Sequence, residues 1–249
     1  MKRINKRDVD NVELLLAYLS QSANEYKELH HYTSFESLMC ILNGHSFRLS
    51  ELKRMNDKRE QKISDNNYFI LSMTSACEYI SMWAMYGKKE DVKIRISFDS
   101  KELKKCLKAD NFYKDPLLKE HYFSSQGNIS SNITYSDVVY IDSRNYQYKH
   151  KENEFNKIFP SYATVHYLGG LIKYDAWEFE RETRIRVLNI NDDDFVYLAL
   201  SEEFLSSIKV TFNPWMKPNI KYVIKREMDL FGIECKESEY DGQIEGLVE

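Results

Sequence analysis

The segment Trp177 to Val187, WEFERETRIRV, alternates in character along its length. Read as a strand, it carries Glu180, Glu182, Arg184 and Arg186 on one face. The other face carries Trp177, Phe179, Thr183, Ile185 and Val187, broken only by Arg181. A period of two fits this pattern better than a helical period, so the segment predicts a sheet with one side in a core. Two acids followed by two arginines have a plain reading, a solvated sheet face with mild charge pairing. They also have a functional one, a cleft floor on which Glu182 stabilises a developing cation while Glu180 orients or deprotonates an acceptor.

The remaining pattern mixes helices and strands without the alternation of a parallel α/β fold, and the expected class is α+β. Val9, Val12, Leu15, Leu16 and Leu19 recur at helical spacing after Asp8 or Asp10, either of which could cap, and predict a helix over 10–20. A strand over 28–32 leads into a second helix, with Thr33 and Glu36 as its capping box and Asn43-Gly44 as its stop. Further strands are expected over 47–49, 68–73, 91–99, 137–141, 207–212 and 233–240, with helices over 78–86 and 219–231 and a short turn at EEFL. The MNDKRE stretch, 55–60, reads as a loop or helical turn, and 101–170 as an insertion in one domain spanning 1–249, with a lid over a site as one role for it.

Composition narrows the classes. With 43% hydrophobic residues the 249-residue chain easily buries a core, and a net charge of −4 provides no global field for nucleic acid. Cys40, Cys77, Cys106 and Cys235 lie far apart with no CxxC and no histidine at ligand spacing, which argues against a zinc site or a disulfide framework. No run of eighteen apolar residues occurs, and the charged amino-terminal stretch does not read as a signal peptide, so no membrane span and a cytoplasmic location are expected. There is no GxGxxG, Walker A, GxSxG or HExxH sequence.

His30 and His31 stand just before the second helix, where a ribose or an anion could approach backbone amides. Alternation points His31 and Thr33 one way and His30 and Tyr32 the other, so only one histidine should face a given cleft. An imidazole bonded across a sheet is the plain alternative. Trp83 and Tyr86, three residues apart, could offer a platform for a planar ring, although such pairs are more often core.

The order HYTSFESLMCIL, MND, SMWAMYG, EFERETR resembles an uncharacterised bacterial domain-of-unknown-function family whose pattern runs through most of the chain. Within it, His31-x-Thr33 with Leu38, Ile41-Leu42 and Gly44 is similar to the opening strand and helix of DarT-type DNA ADP-ribosyltransferases. That resemblance implies a split-sheet α+β fold with NAD as the cofactor and no metal. It implies that His31 and Thr33 hold NAD, with Arg48 and one of Tyr32, Trp83 and Tyr86 beside it, and that Glu182 or Glu180 is the late catalytic acid.

The expected function is therefore ADP-ribosyl transfer from NAD to a macromolecular acceptor, nucleic acid or protein, by a toxin-like antiviral defence effector with an antitoxin or other defence-system partner. Two alternatives stand beside it. One is a non-enzymatic recognition module of a defence system. The other is a metal-dependent nuclease using Asp57, Glu60, Glu180 and Glu182.

Overall fold

The computed structural model describes residues 9–55, 68–76, 78–86, 92–123, 132–141, 168–190 and 193–242. In chain order the elements are α1 (Val12–Ala23), β1 (Glu28–Ser34), α2 (Phe35–Gly44), β2 (Ser46–Glu51), β3 (Tyr68–Thr74), α3 (Ile80–Met85), β4 (Lys93–Asp99), α4 (Ser100–Cys106), β5 (Phe112–Asp115), β6 (Glu120–His121), β7 (Ile133–Asp137), β8 (Val139–Ile141), β9 (Ile172–Tyr174), β10 (Glu182–Leu188), β11 (Phe195–Ala199), α5 (Glu202–Ser206), β12 (Lys209–Phe212), α6 (Pro218–Leu230) and β13 (Glu234–Lys236). The class is α+β, as the pattern predicts.

Eleven strands form one sheet in the order β13-β12-β4-β1-β3-β2-β11-β5-β6, with β10 lying against β3 and β7 against β10. Every pair in it is antiparallel except β12 with β13, which is parallel. Strand alternation divides the two faces by chemistry. Leu29, Leu49, Phe69, Leu71, Ile94, Ile96, Ile185, Val187 and Leu198 join Leu38 and Ile41 of α2, Leu103 of α4, Phe204 of α5 and Met228 of α6 in the main core. The opposite face carries Glu182, Arg184 and Arg186, and a second layer covers it. That layer contains the parallel pair β8-β9 and α1, which share a smaller core of Leu15, Leu19, Val139, Leu168 and Ile172.

This second layer overturns the solvated-face reading, because Glu182, Arg184 and Arg186 are only 5%, 0% and 7% exposed. The single strand expected over 177–187 is corrected as well. Asp175–Glu180 forms a 3-10 helix, Arg181 takes a left-handed conformation at φ 43°, and the strand begins at Glu182. Phe179 packs with Tyr32, Met82 and Trp83 instead of entering the main core. Arg181 N–H bonds to Glu178 O, its carbonyl accepts from Ser75 N–H, and Thr74 Oγ1 donates to Glu180 O. Tertiary bonds thus outweigh the local alternation, and Glu180 and Glu182 do not share a strand face.

The helix ends also differ from expectation. Asn11 caps α1, its Oδ1 accepting from Leu14 N–H at 2.9 Å, in place of Asp10; Asp8 lies outside the described residues. Ser34 caps α2, its Oγ accepting from Ser37 N–H at 3.1 Å, while Thr33 stays in β1 opposite Ile94, so the Thr33–Glu36 capping box does not form. The left-handed stop is His45, at φ 45°. Ser34→Ala is therefore expected to lower stability by about 1 kcal/mol in urea unfolding, and Glu36→Ala to change it by less than about 0.5 kcal/mol.

The described parts of 101–170 are woven into the sheet through β5, β6 and β7. Residues 124–131 and 142–167, which include most of the SSQGNISSN loop and Pro160, lie outside the described residues, and so does any lid they would form.

Candidate functional site

One edge of β3 pairs with β10 along its whole length, from Glu182 opposite Thr74 to Leu188 opposite Tyr68. The other edge is divided. At one end it meets β1 through His30 opposite Thr74, and at the other it meets β2 through Ser50 opposite Ile70 and Glu51 opposite Phe69. Residues 71–73 face neither strand, so the sheet splits there. A cavity of about 640 Å³ occupies the split, a size typical of small-molecule and cofactor sites. Its lining comes from both sides of the sheet, with Ser37 and Cys40 of α2 on the core side and Met82, Tyr86 and Glu182 on the other.

His31, Tyr32, Thr33, Arg48, Tyr86 and Glu182 all line this cavity, whereas Trp83 and Glu180 do not. By register, His30, Thr74 and Glu182 lie on one face of the sheet and His31 on the other. His31 and Glu182 nevertheless meet the same space because the cavity runs through the split. Both histidines line it, contrary to the expectation that only one would.

His31 Nδ1 lies 2.8 Å from Ser72 O in the split, and since a carbonyl only accepts, Nδ1 carries the hydrogen. Burial holds the ring's pKa below the ordinary histidine value, against the pull of that bond. The neutral ring then keeps Nε2 as an acceptor, which suits a ligand hydroxyl. Arg48 is exposed on β2, with its guanidinium 4.8 Å from the centre of the Phe195 ring.

His30 is bonded to Ser97 Oγ at 2.7 Å, and burial, helped by Arg95, pushes its pKa down to about 4. The folded state thus keeps His30 neutral where the unfolded chain takes up a proton. Stability from this group is complete above about pH 6.5 and lost as pH falls toward 4, by up to about 3 kcal/mol. Urea unfolding at pH 7 and at pH 4.5 is expected to show a smaller loss for His30→Gln than for the unaltered protein.

Behind the cavity lies a buried charge network. Arg184 Nη2 meets Glu182 Oε2 at 2.6 Å, and Lys173 Nζ lies 3.4 Å from the same oxygen. Lys173 also donates to Glu180 Oε2, and Tyr86 Oη donates to Glu180 Oε1. Tyr140 Oη accepts from Glu182 N–H at 2.8 Å, and Arg184 donates to Gly170 O at 2.6 Å. Burial alone would raise the Glu182 pKa, but Arg184 and Lys173 together hold it below the usual carboxylate value. Glu180 goes the other way, raised by burial and by Glu182 against the opposing effects of Lys173 and Tyr86. The two neighbouring acids are thus shifted in opposite directions. Glu180, expected beside Glu182 at the cleft, is instead 0% exposed.

The three competing aromatics are also sorted. Trp83 is fully buried, its Nε1 donating to Glu78 Oε1 at 2.7 Å, and Tyr32 packs edge-on against it with ring centres 4.8 Å apart. Burial pushes the Tyr32 hydroxyl up to about 12. Tyr86 is the more accessible ring at the cavity.

Sequence reasoning missed Lys173 and Tyr140, which reach Glu182 from the second layer, and Ser72, which supplies the His31 partner. No local pattern marks them, since their roles come from pairing across the fold. Of the nuclease acids, Asp57 and Glu60 lie outside the described residues, as does the MND segment after Met55. Among the described residues no helix is long and apolar enough to cross a membrane.

No curated protein and no solved structure matches the chain. Residues 82–185, which run from α3 to β10 and include Tyr86, Lys173, Glu180, Glu182 and Arg184, match the model of the family described as protein of unknown function DUF2971.

Proposed function

We propose that the cavity binds NAD and that the protein transfers ADP-ribose from it to a macromolecular acceptor, nucleic acid or protein, as a toxin-like effector of antiviral defence in the cytoplasm. What supports this reading is the convergence of His31, Thr33, Tyr86 and Glu182 on one cavity in the sheet split. Breaking the bond between nicotinamide and ribose sends the electron pair to nicotinamide and leaves positive charge on the ribose. An acceptor lone pair then closes on the anomeric carbon, and the acceptor's proton passes to solvent. An ionised carboxylate stabilises the intermediate charge, and Arg184 and Lys173 favour the ionised form of Glu182. Neutral His31 accepts a ribose hydroxyl, and the Tyr86 ring covers nicotinamide.

The test is nicotinamide release from NAD, alone and with RNA, DNA or cell extract. The reading predicts a slow release without acceptor, because water captures the same cation, and a faster one with acceptor. A second reading, a recognition module without turnover, draws on the ion pairs that already occupy Glu182. NAD binding with no nicotinamide release would favour it.

A further inference from the structure

We propose that Glu180 is a positioning residue that fixes the Tyr86 ring on the cavity wall and takes no part in handling an acceptor. The inference rests on the NAD reading. Spacing alone suggests the opposite, because an acid two residues before Glu182 on a strand would face the same cleft. The 3-10 turn and the left-handed Arg181 direct it elsewhere. Glu180 is 0% exposed and absent from the cavity lining, while Tyr86 and Glu182 are part of that lining.

Both carboxylate oxygens of Glu180 are engaged, Oε1 by the Tyr86 hydroxyl and Oε2 by Lys173 Nζ. Its main-chain carbonyl accepts from Thr74 Oγ1. A group so enclosed cannot reach a macromolecule, but it can hold a phenol. Tyr86 needs holding, because it follows the last residue of α3, a helix of only six residues, and among the described residues its ring contact is with Tyr32, centres 6.4 Å apart. Lys173 touches Glu180 and Glu182 together. It therefore couples the ring that covers the ligand to the acid that faces it. Glu180 should influence how well NAD is held more than how fast its glycosidic bond breaks.

A double-mutant cycle on nicotinamide release tests this. Glu180→Gln and Tyr86→Phe are each expected to raise KM several-fold with kcat within about twofold, and the double variant to be no worse than Tyr86→Phe alone. Independent effects in the double variant, or a kcat loss of about 100-fold in Glu180→Gln with KM unchanged, would overturn the proposal. Tyr86→Phe keeps the Lys173–Glu180 pair, so it carries the kinetic test even if Glu180→Gln fails to fold. A kcat collapse in Tyr86→Phe would count against the proposal.

A measurement without NAD separates this idea from the NAD reading. With 3-fluorotyrosine at position 86, the fluorine resonance of the free protein should move in Glu180→Gln and stay in place in Ser34→Ala. If the unaltered protein neither binds nor cleaves NAD, the NAD reading fails. The fluorine shift then decides alone whether Glu180 sets the ring, and an unmoved resonance in Glu180→Gln would sink it.

Discussion

Glu182→Gln is expected to cut nicotinamide release by roughly 10²–10³-fold, the range found when one preorganised electrostatic contact to a transition state is removed. An amide of the same shape keeps one acceptor oxygen for the neighbouring cations but supplies no charge to the ribose cation. Burial changes the other half of the expectation. An exposed isosteric change would leave folding nearly intact. Glu182, however, is 5% exposed and is the 2.6 Å partner of Arg184, so the substitution also leaves a buried guanidinium undercompensated. A stability loss of about 3 kcal/mol follows, at the low end for breaking a buried pair because glutamine retains an acceptor. Activity should therefore be measured well below the variant's Tm, with circular dichroism showing a folded protein. Release within tenfold of the unaltered protein under those conditions would remove Glu182 from the proposed chemistry.

The largest effect on folding is expected from Arg184→Ala. Arg184 is fully buried, pairs with Glu182 and donates to Gly170 O. Its removal leaves a buried carboxylate with Lys173 as its remaining cation among the described residues and a carbonyl without that donor, a change worth about 3–5 kcal/mol. Against a typical domain stability of about 5–15 kcal/mol this brings the protein close to unfolding. Arg184→Lys should recover only part of the loss, because an ammonium lacks the fork that reaches two partners at once. Acid offers a second readout. The Glu182 pKa is held below its ordinary value, so the pair's stabilisation is present above the unfolded carboxylate pKa and disappears as pH falls through the folded one. Urea unfolding should show a shallower acid dependence in Arg184→Ala than in the unaltered protein. A loss under about 1 kcal/mol would mean that the second layer is open to water.

Much of the fold was legible because short-range alternation and capping carry it. Val92, Ile94, Ile96 and Phe98 mark the β4 region, and the apolar stripe of Leu38, Ile41 and Leu42 marks α2. The errors fall where tertiary contacts decide. Ser34 takes the cap from Thr33 because Thr33 is paired with Ile94 in the sheet. Glu180 leaves the strand because Arg181 turns and Phe179 joins the cluster of Tyr32, Met82 and Trp83. Strand β11 went unread although Val196 and Leu198 alternate with Phe195 and Tyr197, since the face opposite Val196 and Leu198 carries aromatic rather than polar side chains and blurs the period of two.

At the site, the type and order of His31, Thr33, Tyr86 and Glu182 were legible, but their convergence through a split in the sheet was not. Nor could spacing reveal that Lys173, from β9, would stand between two acids of a later segment. Contacts between residues far apart in the chain leave no periodic trace.

The central claim is that this cavity is an NAD site, and a calorimetric titration of NAD into the unaltered protein tests it most directly. The account predicts saturable binding at one site per chain, weakened at least tenfold by His31→Ala and by Tyr86→Ala, each checked for folding by circular dichroism. Absence of any binding heat across a range of temperatures, or binding that neither substitution weakens, would contradict it.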